Sequence, residues 1–195
     1  MKRYFAIGFL LIIGNTLFAQ LPKDTFHYYT LEEALKVANK QEVQAIDLSK
    51  QKLTEIPEDL KLFPHIHALN ISKNRITSFP DFMTEFTALE FLYASKNKLS
   101  HIPYQIFYLT ELKHLNLSRN TITGIPAGIE NLSKLVYLDV WDNPFIFIDP
   151  AFEKLQQIEE IDIRGNTYAT TFVKQWVEAF PKAKVHFDPP CKCLD

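Results

Sequence analysis

The sequence predicts an α/β solenoid, a stack of near-identical coils that each supply one short strand and one return segment, with a helix covering either end. Three observations predict it. The chain matches itself at a shift of 23 residues, six copies deep and without an insertion. Within every copy, apolar residues stand two apart, the spacing that puts side chains on one face of a strand. A side-chain amide then follows at a constant offset, where the backbone has to leave the strand.

Taken in order along the chain, residues 1–19 read as a secretory signal peptide. Lys2 and Arg3 form its charged start, Phe5 to Ile13 is apolar apart from Gly8, and Leu17-Phe18-Ala19 ends in a small residue before Gln20. Tyr4 to Phe18 spans 15 residues, short of the roughly 20 that cross a bilayer. Cleavage is therefore expected rather than retention as an anchor, and no membrane insertion afterwards. Residues 20–42 form an N-terminal helical cap. In it Thr30-Leu31-Glu32-Glu33 is a capping box, and Leu31, Ala34, Leu35 and Ala38 form an apolar stripe.

Residues 43–168 are the repeat array. Ile46, Leu69, Leu92, Leu115, Leu138 and Ile161 follow one another at 23, and Leu48, Ile71, Ala94, Leu117, Val140 and Ile163 stand two places later. Val43, Ile66, Leu89, Leu112, Leu135 and Ile158 precede them by three. The amide series is Gln51, Asn74, Asn97, Asn120, Asn143 and Asn166, followed two places on by Leu53, Ile76, Leu99, Ile122, Phe145 and Tyr168. One coil cannot bury its own strand face, but neighbours stacked on it can. The asparagines are expected to form a ladder, each amide donating to and accepting from adjacent turns. Leu62, Phe86, Leu109, Leu132 and Leu155 are expected to anchor the return segments, which proline keeps short, helical or extended.

Residues 169–195 make a C-terminal cap and tail. A helix opens at Thr170 or Thr171 with Val173, Trp176, Val177 and Phe180 at helical spacing, and Lys184 to Phe187 follow as a short strand. With a cover at each end, the chain is expected to be a complete small array. Cys191 and Cys193 are two apart, too close for an unstrained bridge and too few for a closed zinc site, and read as part of a frayed tail.

The pattern L-x-x-L-x-L-x-x-N-x-L, six times in register over 43–168, resembles the leucine-rich repeat. The pairs Ile56-Pro57, Phe79-Pro80, Ile102-Pro103 and Ile125-Pro126 fit one class of it, and Ile148-Asp149-Pro150 departs. With its leader, the chain is similar to small secreted bacterial leucine-rich-repeat proteins. The resemblance implies a curved parallel sheet on a concave face, a convex face of return segments, and partner binding on the concave side.

Composition narrows the function. Without Lys2 and Arg3 the chain carries 19 basic against 23 acidic residues, which argues against nucleic acid as a partner. Gly124, Gly128 and Gly165 build no phosphate loop, and neither a nucleophile elbow nor a metal-ligand motif is present. His65 and His67 read as turn and surface histidines rather than metal ligands. The triplets starting at Asn70 and Asn116 are by-products of the repeat, and a third starts at Asn131. The expectation is a binding protein, not an enzyme, with no cofactor and no metal.

Four columns of strand residues face away from the core. The first is Ala45, Ala68, Phe91, His114, Tyr137 and Glu160; the second Asp47, Asn70, Tyr93, Asn116, Asp139 and Asp162. The third is Ser49, Ser72, Ser95, Ser118, Trp141 and Arg164; the fourth Lys50, Lys73, Lys96, Arg119, Asp142 and Gly165. Against this background Phe91, Tyr93, His114, Tyr137 and Trp141 stand out as candidate ligand-binding residues, since clustered aromatics on a solvated face are favoured anchors. The basic run Lys50, Lys73, Lys96, Arg119 reads first as a solvated edge. The leading expectation is a protein partner met outside the cytoplasm, with the product secreted, periplasmic or on the cell surface. Carbohydrate on an aromatic platform and inhibition of a secreted enzyme are the alternatives.

Overall fold

Strand faces only three residues long bury their apolar side chains by stacking, and the computed structural model, which describes residues 24–166 and 170–188, shows that stack. Residues 1–19, Tyr168, Cys191 and Cys193 lie outside the described residues. The strands in chain order are β1 (Tyr28–Tyr29), β2 (Ala45–Asp47), β3 (Ala68–Asn70), β4 (Phe91–Tyr93), β5 (His114–Asn116), β6 (Gly124–Ile125), β7 (Tyr137–Asp139), β8 (Phe147–Ile148), β9 (Glu160–Asp162) and β10 (Lys184–His186). Among the described residues, eight of them form one parallel sheet in the order β1-β2-β3-β4-β5-β7-β9-β10. In it Ala45 pairs with Ala68, Ala68 with Phe91, Phe91 with His114, His114 with Tyr137 and Tyr137 with Glu160. The solenoid expected from the repeat is therefore the fold, with the 23-residue register kept from β2 to β9.

The central series Ile46, Leu69, Leu92, Leu115, Leu138 and Ile161 is fully buried, and the series two places later is buried with it. Each such leucine contributes about 1.5–3 kcal/mol by leaving water. The return segments are single 3-10 turns at Glu58–Leu62, Asp81–Glu85, Tyr104–Tyr108, Ile129–Asn131 and Pro150–Lys154. Pro57, Pro80 and Pro103 stand immediately before the first three, where a missing N–H costs nothing. The fifth repeat, lacking the apolar-proline step, starts its turn from Asp149, whose side chain accepts from the Ala151 N–H.

One anchor assignment is corrected. Leu62 is half exposed, and Phe63 takes the buried position with Phe86, Leu109, Leu132 and Leu155. Counting back 23 from Phe86 lands on Phe63; Leu62 closes the preceding turn and points outward.

The strands β6 and β8 pair in a separate two-stranded sheet away from the main one. The approach there is tight, since a Cβ on Gly124 would meet the Phe147 carbonyl oxygen at 2.6 Å. Glycine is what admits the second sheet.

At the N-terminal end, α1 (Leu31–Lys36) opens on the full capping box: Thr30 accepts from the Glu33 N–H and Glu33 accepts from the Thr30 N–H. Its apolar stripe is narrower than the spacing suggests. Ala34 is buried and Leu31 packs partly on the core, but Leu35 and Ala38 are exposed. The helix stops at Lys36, where Val37 turns to an extended conformation, and Lys40 Nζ folds back to donate to the carbonyls of Leu35 and Val37 at 2.7 and 2.6 Å. At the other end α2 (Thr170–Ala179) lays Trp176 on Phe152, with ring centres 4.9 Å apart, and Phe180 sits at the same distance from Phe152. Val177, expected on that face, is exposed. Among the described residues no helix is long and apolar enough to cross a membrane.

Candidate functional site

Each coil must end its strand and turn, and two of the outward columns are given over to that. The second-column side chains accept from the N–H two residues on: Asp47 from Ser49, Asn70 from Ser72, Asn116 from Ser118, Asp139 from Trp141 and Asp162 from Arg164, at 2.8–3.1 Å. The fourth column is left-handed throughout, with φ of 62, 61, 56, 56, 55 and 71° at Lys50, Lys73, Lys96, Arg119, Asp142 and Gly165. The basic run is thus a row of turn residues, each handing its N–H to a carbonyl of the next coil, as Lys96 does to Ser118 at 2.9 Å.

The first and third columns are free of that duty. Phe91 and His114 stack face to face, 4.6 Å between ring centres and 5° between planes, and Tyr137 continues the row 6.0 Å from His114. Trp141 stands at the open edge, 38% exposed, with the Arg119 guanidinium 5.1 Å above its ring. Gly165 lies against that ring, where a Cβ would come within 2.8 Å of Nε1. The five rings share one face of the sheet, but not equally. His114 and Tyr137, read from the sequence as solvated, are 8% and 6% exposed, because each ring covers the flank of the next at strand spacing. Burial leaves the His114 imidazole harder to protonate than usual, and its Nδ1 has no hydrogen-bond partner among the described residues.

Phe91 and Tyr93 are half-buried for a different reason: the chain's own N-terminal segment crosses them. Phe26 stacks on His67, 5.8 Å between centres, and meets Phe91 edge-on at 5.9 Å. Asp24 Oδ2 accepts from the hydroxyls of Tyr28 at 2.7 Å and Tyr93 at 2.8 Å. Burial and that carboxylate push both phenols well above the usual tyrosine range, so they stay donors. Asp24, Phe26, Tyr28 and His67 were not singled out as site residues from the sequence. The signal was Tyr93 itself, which stands where the column otherwise has Asp or Asn.

Beyond the crossing, the face is open. A concavity of about 430 Å³ is lined by Tyr137, Trp141, Arg119, Asp139, Glu160 and Arg164, among others. Asp139 forms part of it; burial pushes its carboxyl up to about 6 against the opposing pull of the Trp141 N–H. Arg164 is held on Asp162 by bonds of 2.5 and 3.0 Å, so the charges around the cavity are largely paired within the protein. Among the described residues no three His, Cys, Asp or Glu side chains are grouped to hold a metal, and His67 is committed to Phe26 and to Glu90 at 3.3 Å.

Residues 87–145 match a family model described as leucine rich repeat. Among solved structures, the chain is similar to a leucine-rich-repeat protein of Leptospira interrogans (TM-score 0.71, 24% identity, 76% of this chain and 38% of that one). It is also similar to an internalin C2 of Listeria monocytogenes (TM-score 0.65, 21% identity, 77% of this chain and 63% of that one). The chain therefore spans less than two thirds of either structure's length. No curated protein matches it.

Proposed function

We propose that this chain, which has a leucine-rich-repeat match over residues 87–145 and the fold of the leucine-rich-repeat solenoids, is a non-catalytic module that binds a protein partner outside the cytoplasm. The partner docks on the open half of the concave face. One observation carries the reading: a cavity of about 430 Å³ whose rim bears a half-exposed tryptophan already fixed in place. Trp141 is held by Arg119 on its face and by the close approach of Gly165, so little side-chain freedom remains to be lost on binding. Tyr137 below it extends the apolar floor towards His114. Pre-set aromatic anchors of this kind supply most of an interface's energy. The paired charges around the cavity favour shape and ring contact over a strongly charged ligand. The leader at residues 1–19 supports export to the periplasm, the surface or the medium.

The test is capture by the exported form of the chain, immobilised, with wild type and Trp141→Ala as paired baits. Trp141 borders solvent, so its loss is expected to leave the melting temperature nearly unchanged while weakening the captured partner's affinity about 30-fold, or about 2 kcal/mol. Equal capture by both baits would remove Trp141 from the interface. Saturable binding on a glycan array, lost in Trp141→Ala, would replace the protein partner with a sugar.

A further inference from the structure

The covered half of the concave face is occupied by the chain's own residues. Asp24 and Phe26 lie on it as a ligand would: a carboxylate clamped by two tyrosine hydroxyls, then, two residues on, a ring between an imidazole and a phenyl. Two of these receiving groups break the repeat. Tyr93 replaces the Asp or Asn that the turn uses in every other coil, and Phe91 is the first ring in a column that begins with Ala45 and Ala68. The Tyr93 hydroxyl serves the Asp24 carboxylate, where the other members of its column serve their own turn.

We propose that the face formed by His67, Phe91 and Tyr93 is a receptor site for an extended peptide segment carrying a carboxylate two residues before an aromatic ring. Asp24–Phe26 is its resident occupant in cis. The receptor groups recognise the two halves of the motif separately. Tyr93, with Tyr28 beside it, donates to the carboxylate, and charge-assisted bonds of this length are the stronger kind. Phe91 and His67 take the ring by edge and by face. Tethered only two residues before β1, the resident segment competes at an effective concentration on the order of millimolar. A partner segment therefore enters only by displacing it. The site extends the concave-face reading to its other half and shares no residue with the Trp141 cavity, so the two tests fail independently.

The probe is a fluorescent peptide of residues 20–27, Gln-Leu-Pro-Lys-Asp-Thr-Phe-His, titrated against the exported form of the full chain. The variant Asp24→Ala/Phe26→Ala empties the site and is expected to bind the peptide saturably, at least tenfold tighter than wild type does. Peptides in which the aspartate or the phenylalanine is alanine are expected to lose at least tenfold. Adding Tyr93→Phe, which removes one hydroxyl and no packing, should weaken the peptide by a similar factor. Absence of binding to the emptied variant, equal binding to wild type, or indifference to the two alanine peptides overturns the proposal. If the double variant does not fold, Asp24→Ala alone leaves every ring contact in place and must still bind more peptide than wild type; equality there overturns it too.

Discussion

Asp139 is an acid placed where a carboxylate is badly solvated. It shares its column with Asn70 and Asn116, which do the same turn-capping without a charge, and it accepts from the Asn116 amide at 2.8 Å as well as from the Trp141 N–H. Its carboxyl is raised to about 6 by burial, so the folded chain holds that proton more tightly than the unfolded one. Stability from this group is full below about pH 4, falls as pH rises to about 6 and is level above, a change on the order of 2–3 kcal/mol. Asp139→Asn is expected to remove that decline, so that the difference in melting temperature between variant and wild type grows from pH 4 to pH 6 and then stays constant. A difference independent of pH would show that folding does not raise the Asp139 carboxyl. His114, also buried, responds in the opposite sense, losing stability as pH falls, and the paired comparison cancels it.

Within one coil the asparagine ladder carries the turn. Asn120 donates to Ala94 and Leu117 carbonyls at 3.1 and 2.8 Å and accepts from the Leu99 N–H at 3.1 Å; Asn143 repeats this one coil on with Leu117, Val140 and Ile122. Each amide joins its own coil to the one before. Asn120→Ala leaves the buried Leu99 N–H unpaired and takes one of two amide donors from each of the Ala94 and Leu117 carbonyls, and is expected to cost about 1–3 kcal/mol in chemical denaturation. Gln51, the exposed member of the series in the first coil, should cost less than about 0.5 kcal/mol when replaced by alanine. Similar losses at both positions would mean that the ladder is incidental. The ladder, the strand faces and the capping box at Thr30 were legible in the sequence because each is a local rule repeated or self-contained. Leu62 was misplaced by a residue because two apolar residues adjoin there and only packing chooses between them. Ala38 lies off the core because the backbone leaves the helix at Val37, before the stripe reaches it.

Across the whole molecule, stability is a sum over coils and their contacts, and the ends decide where opening begins. Trp176 and Phe180 close the last coils by packing on Phe152. Trp176→Ala is expected to cost about 3–5 kcal/mol and to let amides from 145 to 163 exchange with solvent before those of 46 to 117. Uniform exchange along the array would show that the stack opens as one unit.

What the sequence determined alone was everything that recurs at 23 residues: the coil count, the core columns, the amide ladder, and which side chains share a sheet face. Those depend on neighbours at a constant separation along the chain, so periodicity reports them. It also marked Phe91, Tyr93, His114, Tyr137 and Trp141 as departures from that pattern. Only the tertiary structure decided that these rings divide into an occupied half and an open half. The divider is Asp24 and Phe26, and Asp24 lies 69 residues from Tyr93, outside every repeat. A single long-range contact has no period, and its energy comes from desolvated hydroxyls and stacked rings that meet only once the coils have closed.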